Sequence, residues 1–287
     1  ISACVPMHTF GHPCKIDRIV DIYNLYHIPV VEDAAESIGS YYKGKHTGIF
    51  GKSGILSFNG HKTTTTGGGG MILTNDDELG PLAKHITTTA KKPHPRKFEH
   101  NMIGYNYRLP NINIALGCAQ MEILSEILQN KRETAIKYQE FFNKIDDIEF
   151  IKEPSDSMSN YWFNAILLNK EEERDQFLDY AYSQKVMCRP ARILMNKLPM
   201  FVQCICSTLN VENAIEKRLV KYQVVLDNMK IIKRFLSTLY NYMKKCSIDE
   251  KDIIYRKKFN IHLTARLGYL SHIVFKGNIT IGAKFLF

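Results

Sequence analysis

The chain has 287 residues, 45% hydrophobic and 23% charged, a balance typical of a globular protein with one large or two smaller domains. No apolar run approaches the roughly 18 to 20 residues that a membrane-spanning helix needs, and the opening ISACVPMHTFGHP has no basic stretch leading into an apolar one, so it does not read as a secretory signal. The formal charge of +9 invites a nucleic-acid or membrane-surface reading, but residues 1–220 carry 25 Lys+Arg against 25 Asp+Glu, while residues 221–287 carry 13 against 4; the basicity belongs to the tail and argues for no nucleic-acid or membrane partner of the body.

In chain order, the start lacks an initiator methionine and falls inside what reads as a strand, the mark of a cut end. Pro13 to His27 follows as a helix with Ile16, Ile19, Val20, Ile22 and Tyr23 on one face. Ile28-Pro29-Val30-Val31 is a short buried strand that ends at Glu32-Asp33. Gly54 to Phe58 and Gly70 to Thr74 are two more strands, the second closed by the turn former Asn75-Asp76, and Asp76 to Thr87 is a helix. Lys91 to Pro95 is a proline-broken loop. Asn111 to Ile145 reads as one long helical stretch, Tyr161 to Leu168 as a strand, and Glu171 to Ser183 as a helix. Interleaved strands and helices imply a layered α/β domain. The expected division is a large domain over 1–125, a small α+β domain over 126–220 and an atypical basic tail over 221–287. Seven cysteines, at 4, 14, 118, 188, 204, 206 and 246, are scattered; the one close pair, Cys204 and Cys206, is poor zinc spacing, so they read as reduced cytosolic thiols and no metal is expected.

The chemistry concentrates in SFNGHKTTTTGGGG, residues 57–70. A nucleophilic amine must be neutral part of the time and held still; Lys62, just past a buried strand and backed by glycines, fits that need, against the plainer reading of a surface lysine in a glycine-rich loop. A phosphate-cradling loop of the G-x-x-x-x-G-K type is excluded, because position 56 is Leu and the glycine run follows the lysine. Asp33, at the end of another strand, could meet Lys62 at the carboxyl edge of a sheet, where open α/β sheets bind ligands; it could equally cap a helix over Ala34-Ala35-Glu36.

The run VEDAAESIGSYYKGKHTGIFGKSGILSFNGHKTTTTGGGGMILTND, followed by IGYNYRLPNINIALGCAQME, closely resembles the DegT/StrS-type sugar aminotransferases, from about Ala3 to about Val220. The branch it looks most like acts on nucleotide-linked 4-keto-6-deoxy sugars: legionaminic- and bacillosamine-pathway aminotransferases and perosamine synthases. The resemblance implies the aspartate-aminotransferase fold (fold type I) and pyridoxal 5′-phosphate as cofactor. It also implies a cytoplasmic homodimer with shared active sites, and glutamate as amino donor in surface-polysaccharide or nonulosonic-acid biosynthesis. Carried over by residue, it makes Lys62 the Schiff-base lysine and proton shuttle, and Asp33 the partner of the pyridinium nitrogen. Ser57 becomes a phosphate ligand, Glu36 the residue against the cofactor, and Asn106 the group that reaches the neighbouring subunit's phosphate. Tyr105 and Tyr107 read as core or interface packing, and His8 as structural or near the site. Arg108 reads as an interface ion-pair partner, Tyr161 and Trp162 as strand residues, and Arg189 as a substrate contact. Two departures stand out. The family's segment preceding this chain's first strand, with its helix-terminal phosphate-binding turn, has no counterpart here, and KYQVVLDNMKIIKRF after Val220 matches nothing in the family. A shifted reading frame or a wrongly joined coding region is the expected origin of the tail, and an inactive truncated or frameshifted copy is the alternative to an active aminotransferase.

Overall fold

The computed structural model describes residues 1–145, 148–183 and 187–222; apart from Lys221 and Tyr222, the expected basic tail lies outside the described residues. In chain order come α1 (Ile16–Leu25), β1 (Val31–Asp33), β2 (Tyr41–Tyr42), β3 (Lys45–His46), β4 (Ser53–Ser57) and β5 (Gly70–Leu73). Then follow α2 (Leu79–Thr87), α3 (Asn111–Glu122), α4 (Leu124–Phe142), β6 (Ile148–Phe150), β7 (Ser157–Met158) and β8 (Asn164–Leu168). α5 (Glu171–Ser183), β9 (Cys188–Pro190), α6 (Asn210–Arg218) and β10 (Leu219–Tyr222) complete the described part. Short 3-10 turns cover Thr9–Gly11 and Met195–Lys197. The chain divides into two units, and among described residues the first holds 1–129 and 154–160, the second 130–153 and 161–222. The division falls inside α4, and residues 154–160 return to the first unit.

The first unit is built on the sheet β1-β4-β5, with β1 parallel to β4 and β4 antiparallel to β5. Cys4 and Met7 extend it by parallel bridges to Val30 and Asp33 on the free side of β1. One face of the sheet is packed: Leu56 and Leu73 bury against Ala34, Ile38, Phe58 and Leu124. Of the residues expected along one face of the first helix, Ile16 is fully buried but Ile22 is 50% exposed, so the buried stripe is narrower than the apolar pattern. α2 starts where Asp76 Oδ1 accepts the backbone N–H groups of Glu78 and Leu79, at 2.9 and 2.8 Å. Those two bonds, with Lys52 nearby, hold its carboxyl below the usual range. The expected single helix over 111–145 is two, α3 and α4, separated at Ile123 (φ −106°, ψ 6°). A second, small sheet, β3-β2-β7, pairs Tyr41 with Met158 and with His46.

The second unit is an antiparallel sheet in the order β6-β8-β10-β9. β8 begins at Asn164, three residues later than the apolar run suggests, because Tyr161 takes up a left-handed conformation (φ 45°) before it. Tyr161 and Trp162 are therefore buried turn residues and not strand residues. The core joins Phe142, Phe150, Tyr161, Ile166, Leu168 and Val220. Arg132 meets Glu153 through two 2.8 Å bonds. Three glutamates in the first turn of α5 complement its positive end. Lys221 and Tyr222, the first residues of the expected tail, lie in β10 opposite Ala165 and Asn164.

Candidate active site

β1 and β4 run parallel, so their carboxyl ends share one edge of the sheet, and the last residues there are Asp33 and Ser57. Asp33 stands in register with Ile55. Side chains on paired positions, and on positions two apart, share a face, so Asp33, Ile55 and Ser57 occupy the same one. It is the open face: Ile55 is 43% exposed, while Glu32 and Leu56 on the other face are buried. Asp33 Oδ1 accepts the Ala35 N–H at 3.1 Å, a turn rather than a helix cap, since 34–40 contains no helix. Oδ2 has no partner among the described residues.

Lys62 lies in the loop between β4 and β5. Its side chain is 10% exposed, and Nζ stands 4.0 Å from Oε1 of Glu36, itself 5% exposed. The other carboxylate oxygen, Oε2, accepts the N–H of Phe10 at 2.8 Å; Phe10 holds φ 61°, an uncommon left-handed conformation for a bulky residue. The threonines that follow are not solvent-facing as their polarity suggests: Thr63, Thr64 and Thr66 are all buried. α3 holds them. Asn113 Nδ2 donates to Thr66 O, and Gln120 Oε1 accepts the Thr65 N–H at 2.9 Å. A Cβ on Gly117 would come within 2.9 Å of Thr66 Cγ2. Positions 113, 117 and 120 are one helix face, and that i, i+4, i+7 spacing was readable in NINIALGCAQ. The glycine run makes the return: Gly67 and Gly69 sit at φ 80° and 93°, where a side chain is strained.

Of the five residues singled out from the sequence, Lys62 and Glu36 face each other, and Asp33 and Ser57 share a sheet edge and face. Asn106 is exposed, bridged to Thr88, and no described contact ties it to the other four. His8 is structural. Its Nδ1 accepts the Cys14 N–H at 3.2 Å, so the proton is on Nε2, which faces Glu32 Oε2 at 3.0 Å. Glu32 also accepts N–H groups from Gly48, Phe50 and Gly51 at 2.6–2.8 Å. Burial alone would raise its carboxyl, but the bonds from His8, Gly51 and Gly48 outweigh that and hold it low. Tyr105 and Tyr107 stack on each other at 5.2 Å and are 49% and 71% exposed, not core. Among the described residues no group of three His, Cys, Asp or Glu could hold a metal, and no helix is long and apolar enough to cross a membrane.

An enclosed amine, a carboxylate with an unengaged oxygen and a hydroxyl at one sheet edge form a donor set that fits a small aromatic aldehyde with a ring nitrogen and an anionic group. Thr64 Oγ1, two residues past Lys62 in sequence, is buried with no hydrogen-bond partner among the described residues.

A sequence pattern describing the DegT/DnrJ/EryC1/StrS aminotransferase family matches residues 1–224. The chain is 37% identical over 200 residues to a GDP-perosamine synthase of Escherichia coli O157:H7, covering 70% of this chain and 54% of that protein. It is 35% identical over 200 residues to EpsN of Bacillus subtilis, a putative pyridoxal phosphate-dependent aminotransferase, covering 70% and 51%. The chain thus spans about half the length of these relatives. Helicobacter pylori PseC, an aminotransferase of pseudoaminic acid biosynthesis, superposes with a TM-score of 0.72 at 19% identity, over 84% of this chain and 66% of that one.

Proposed function

The chain belongs to the DegT/DnrJ/EryC1/StrS aminotransferase family, and on that premise we propose that it carries the cofactor-binding edge of a sugar aminotransferase. The activity would move an amino group from glutamate onto C4 of a nucleotide-linked 4-keto-6-deoxy sugar, for surface-polysaccharide or nonulosonic-acid biosynthesis in the cytoplasm. The observation that carries this reading is the enclosed Lys62 amine beside the Glu36 carboxylate, in the loop that leaves the sheet edge bearing Asp33 and Ser57.

Pyridoxal 5′-phosphate, the cofactor of this family, supplies when bound an electron sink for negative charge at the amine-bearing carbon. The chain's own residues do the rest. Asp33 is the carboxylate that would hold a ring nitrogen protonated, and the Ser57 hydroxyl would donate to the phosphate. Lys62 Nζ is the amine that would hold the aldehyde and would serve as the base and acid that moves a proton at the reacting carbon. Glu36, fixed by Phe10, orients Nζ. A GDP-linked sugar is the proposed substrate, supported by the names of two relatives, the GDP-perosamine synthases of E. coli O157:H7 and Vibrio cholerae.

A homodimer with shared sites is part of this proposal, with the exposed apolar side chains of Phe98, Ile103, Tyr105, Tyr107 and Ile112 as its support and Asn106 among them. The test is spectroscopic. Purified chain mixed with pyridoxal 5′-phosphate is expected to show a visible absorbance band that survives dialysis, and Lys62→Ala to lack it. A wild-type chain without the band would overturn the reading.

A further inference from the structure

We propose that Asn160 is a positioning residue for the Lys62–Glu36 pair, an inference that rests on the function proposed above. Asn160 lies 98 positions beyond Lys62, in the segment 154–160 that returns to the first unit, and it is 2% exposed. Its side-chain nitrogen donates to the carbonyl of Glu36 at 2.9 Å and to that of Ile38 at 2.8 Å, with Thr63 Oγ1 at 3.4 Å. One amide thus touches the backbone of the carboxylate residue and the side chain of the residue that directly follows Lys62.

The same network reaches Glu36 from its other end. The backbone N–H of Asn160 goes to Ser40 Oγ at 2.9 Å, and Ser40 Oγ donates to Gly11 O at 2.7 Å. Ser159 Oγ donates to the same carbonyl at 2.9 Å. Gly11 follows Phe10, the left-handed residue whose N–H holds Glu36 Oε2. Glu36 is therefore gripped at its carbonyl by Asn160 and at its carboxylate by a backbone that Ser40 and Ser159 fix in turn. An anchor needed only for the loop would serve as well at Ile38 alone. The convergence on residues 36 and 63, one facing Nζ and the other adjoining it, is what a role in placing the amine requires.

The test reads the amine directly, without the cofactor. Wild type, Asn160→Ala and Thr63→Val are treated with 2,4,6-trinitrobenzenesulfonate, and the labelling rate of each lysine is followed by peptide mass spectrometry. Lys62 is expected to react about fivefold faster in either variant, the factor that one hydrogen bond's net worth corresponds to, with exposed Lys52 and Lys84 unchanged. In the loaded protein the midpoint pH of the visible band is expected to shift in both variants. Wild-type labelling of Lys62 in both, or an equal rise at every lysine of a variant that keeps its native circular dichroism, would overturn the proposal. Should Asn160→Ala lose that native signal, Thr63→Val alone decides. Absence of a visible band in the wild type would sink the function proposed above, while the labelling comparison still answers the question of position.

Discussion

Glu32 and Asp33 are neighbours with the same chemistry and opposite employment. Strand alternation turns Glu32 into the packed face, where His8 and three backbone N–H groups take up its charge, and turns Asp33 onto the open face beside Ser57. Asp33 was legible because it closes a strand, but the acid before it was silent: its ligands are backbone amides of residues 48, 50 and 51, which leave no mark in side-chain pattern. The same blindness covers His46. Burial pushes its imidazole down from 6.5 to about 4, and the ring serves as a neutral clamp, accepting the Gly39 N–H at 2.8 Å on Nε2 and donating from Nδ1 to Thr47 O. With the folded value depressed, the unfolded chain binds the extra proton between pH 6.5 and 4, so stability falls as the pH drops through that window. The loss attributable to His46 is expected to be on the order of 2–3 kcal/mol. Melting curves of wild type and His46→Gln between pH 7 and 4 check it; the variant, weaker at neutral pH, is expected to show the shallower decline.

Among the elements, the strands flanking the lysine loop were readable to within a residue. Gly54–Phe58 was expected where β4 runs Ser53–Ser57, and Gly70–Thr74 where β5 runs Gly70–Leu73. Apolar residues bounded by glycines carry that information locally. The break at Ile123 was unreadable, since neither glycine nor proline marks it. β1 was read too early, at Ile28–Val31, because its pairing with β4 extends through the acidic Glu32 and Asp33, where tertiary contacts to the buried Glu32 override propensity. Gly54 shows what the register demands. It faces Gly48, and a Cβ there would overlap the Gly48 carbonyl oxygen and Cα, which are main-chain atoms and cannot rotate away. Gly54→Ala is expected to destabilise the fold by roughly 3 kcal/mol, visible as a lowered melting temperature and loss of soluble yield. An unchanged melting temperature would mean that the 48–54 crossing is looser than it stands.

For the molecule as a whole, the composition already separated a neutral body from a basic tail, and the family pattern stops at 224, close to where that separation falls. What no composition could convey is which apolar side chains the fold leaves exposed. Ile103 is 82% exposed and Tyr107 71%, and both flank Asn106, which has no described contact with the other four candidate residues. If a second copy covers them, Ile103→Asp is expected to weaken the dimer at least about tenfold, read by sedimentation velocity across a concentration series, and to lower cofactor retention with it. A wild-type chain that sediments as a monomer at all concentrations would remove that part of the proposal. Asn160 was likewise illegible: an asparagine in a polar stretch reads as loop, and its partners are main-chain carbonyls more than 120 positions earlier. That span has a consequence for biosynthesis. A ribosome delivers the chain from one end, so Glu36 and Thr63 emerge long before the asparagine that holds them, and by then α4 and β6 have been made. The site therefore cannot finish as its own strands appear. It waits, with the carbonyls of Glu36 and Ile38 still wet, until residue 160 has left the exit tunnel, and on the proposal above any pause or cleavage before that point leaves a first unit whose β1-β4-β5 sheet is complete and whose amine is loose.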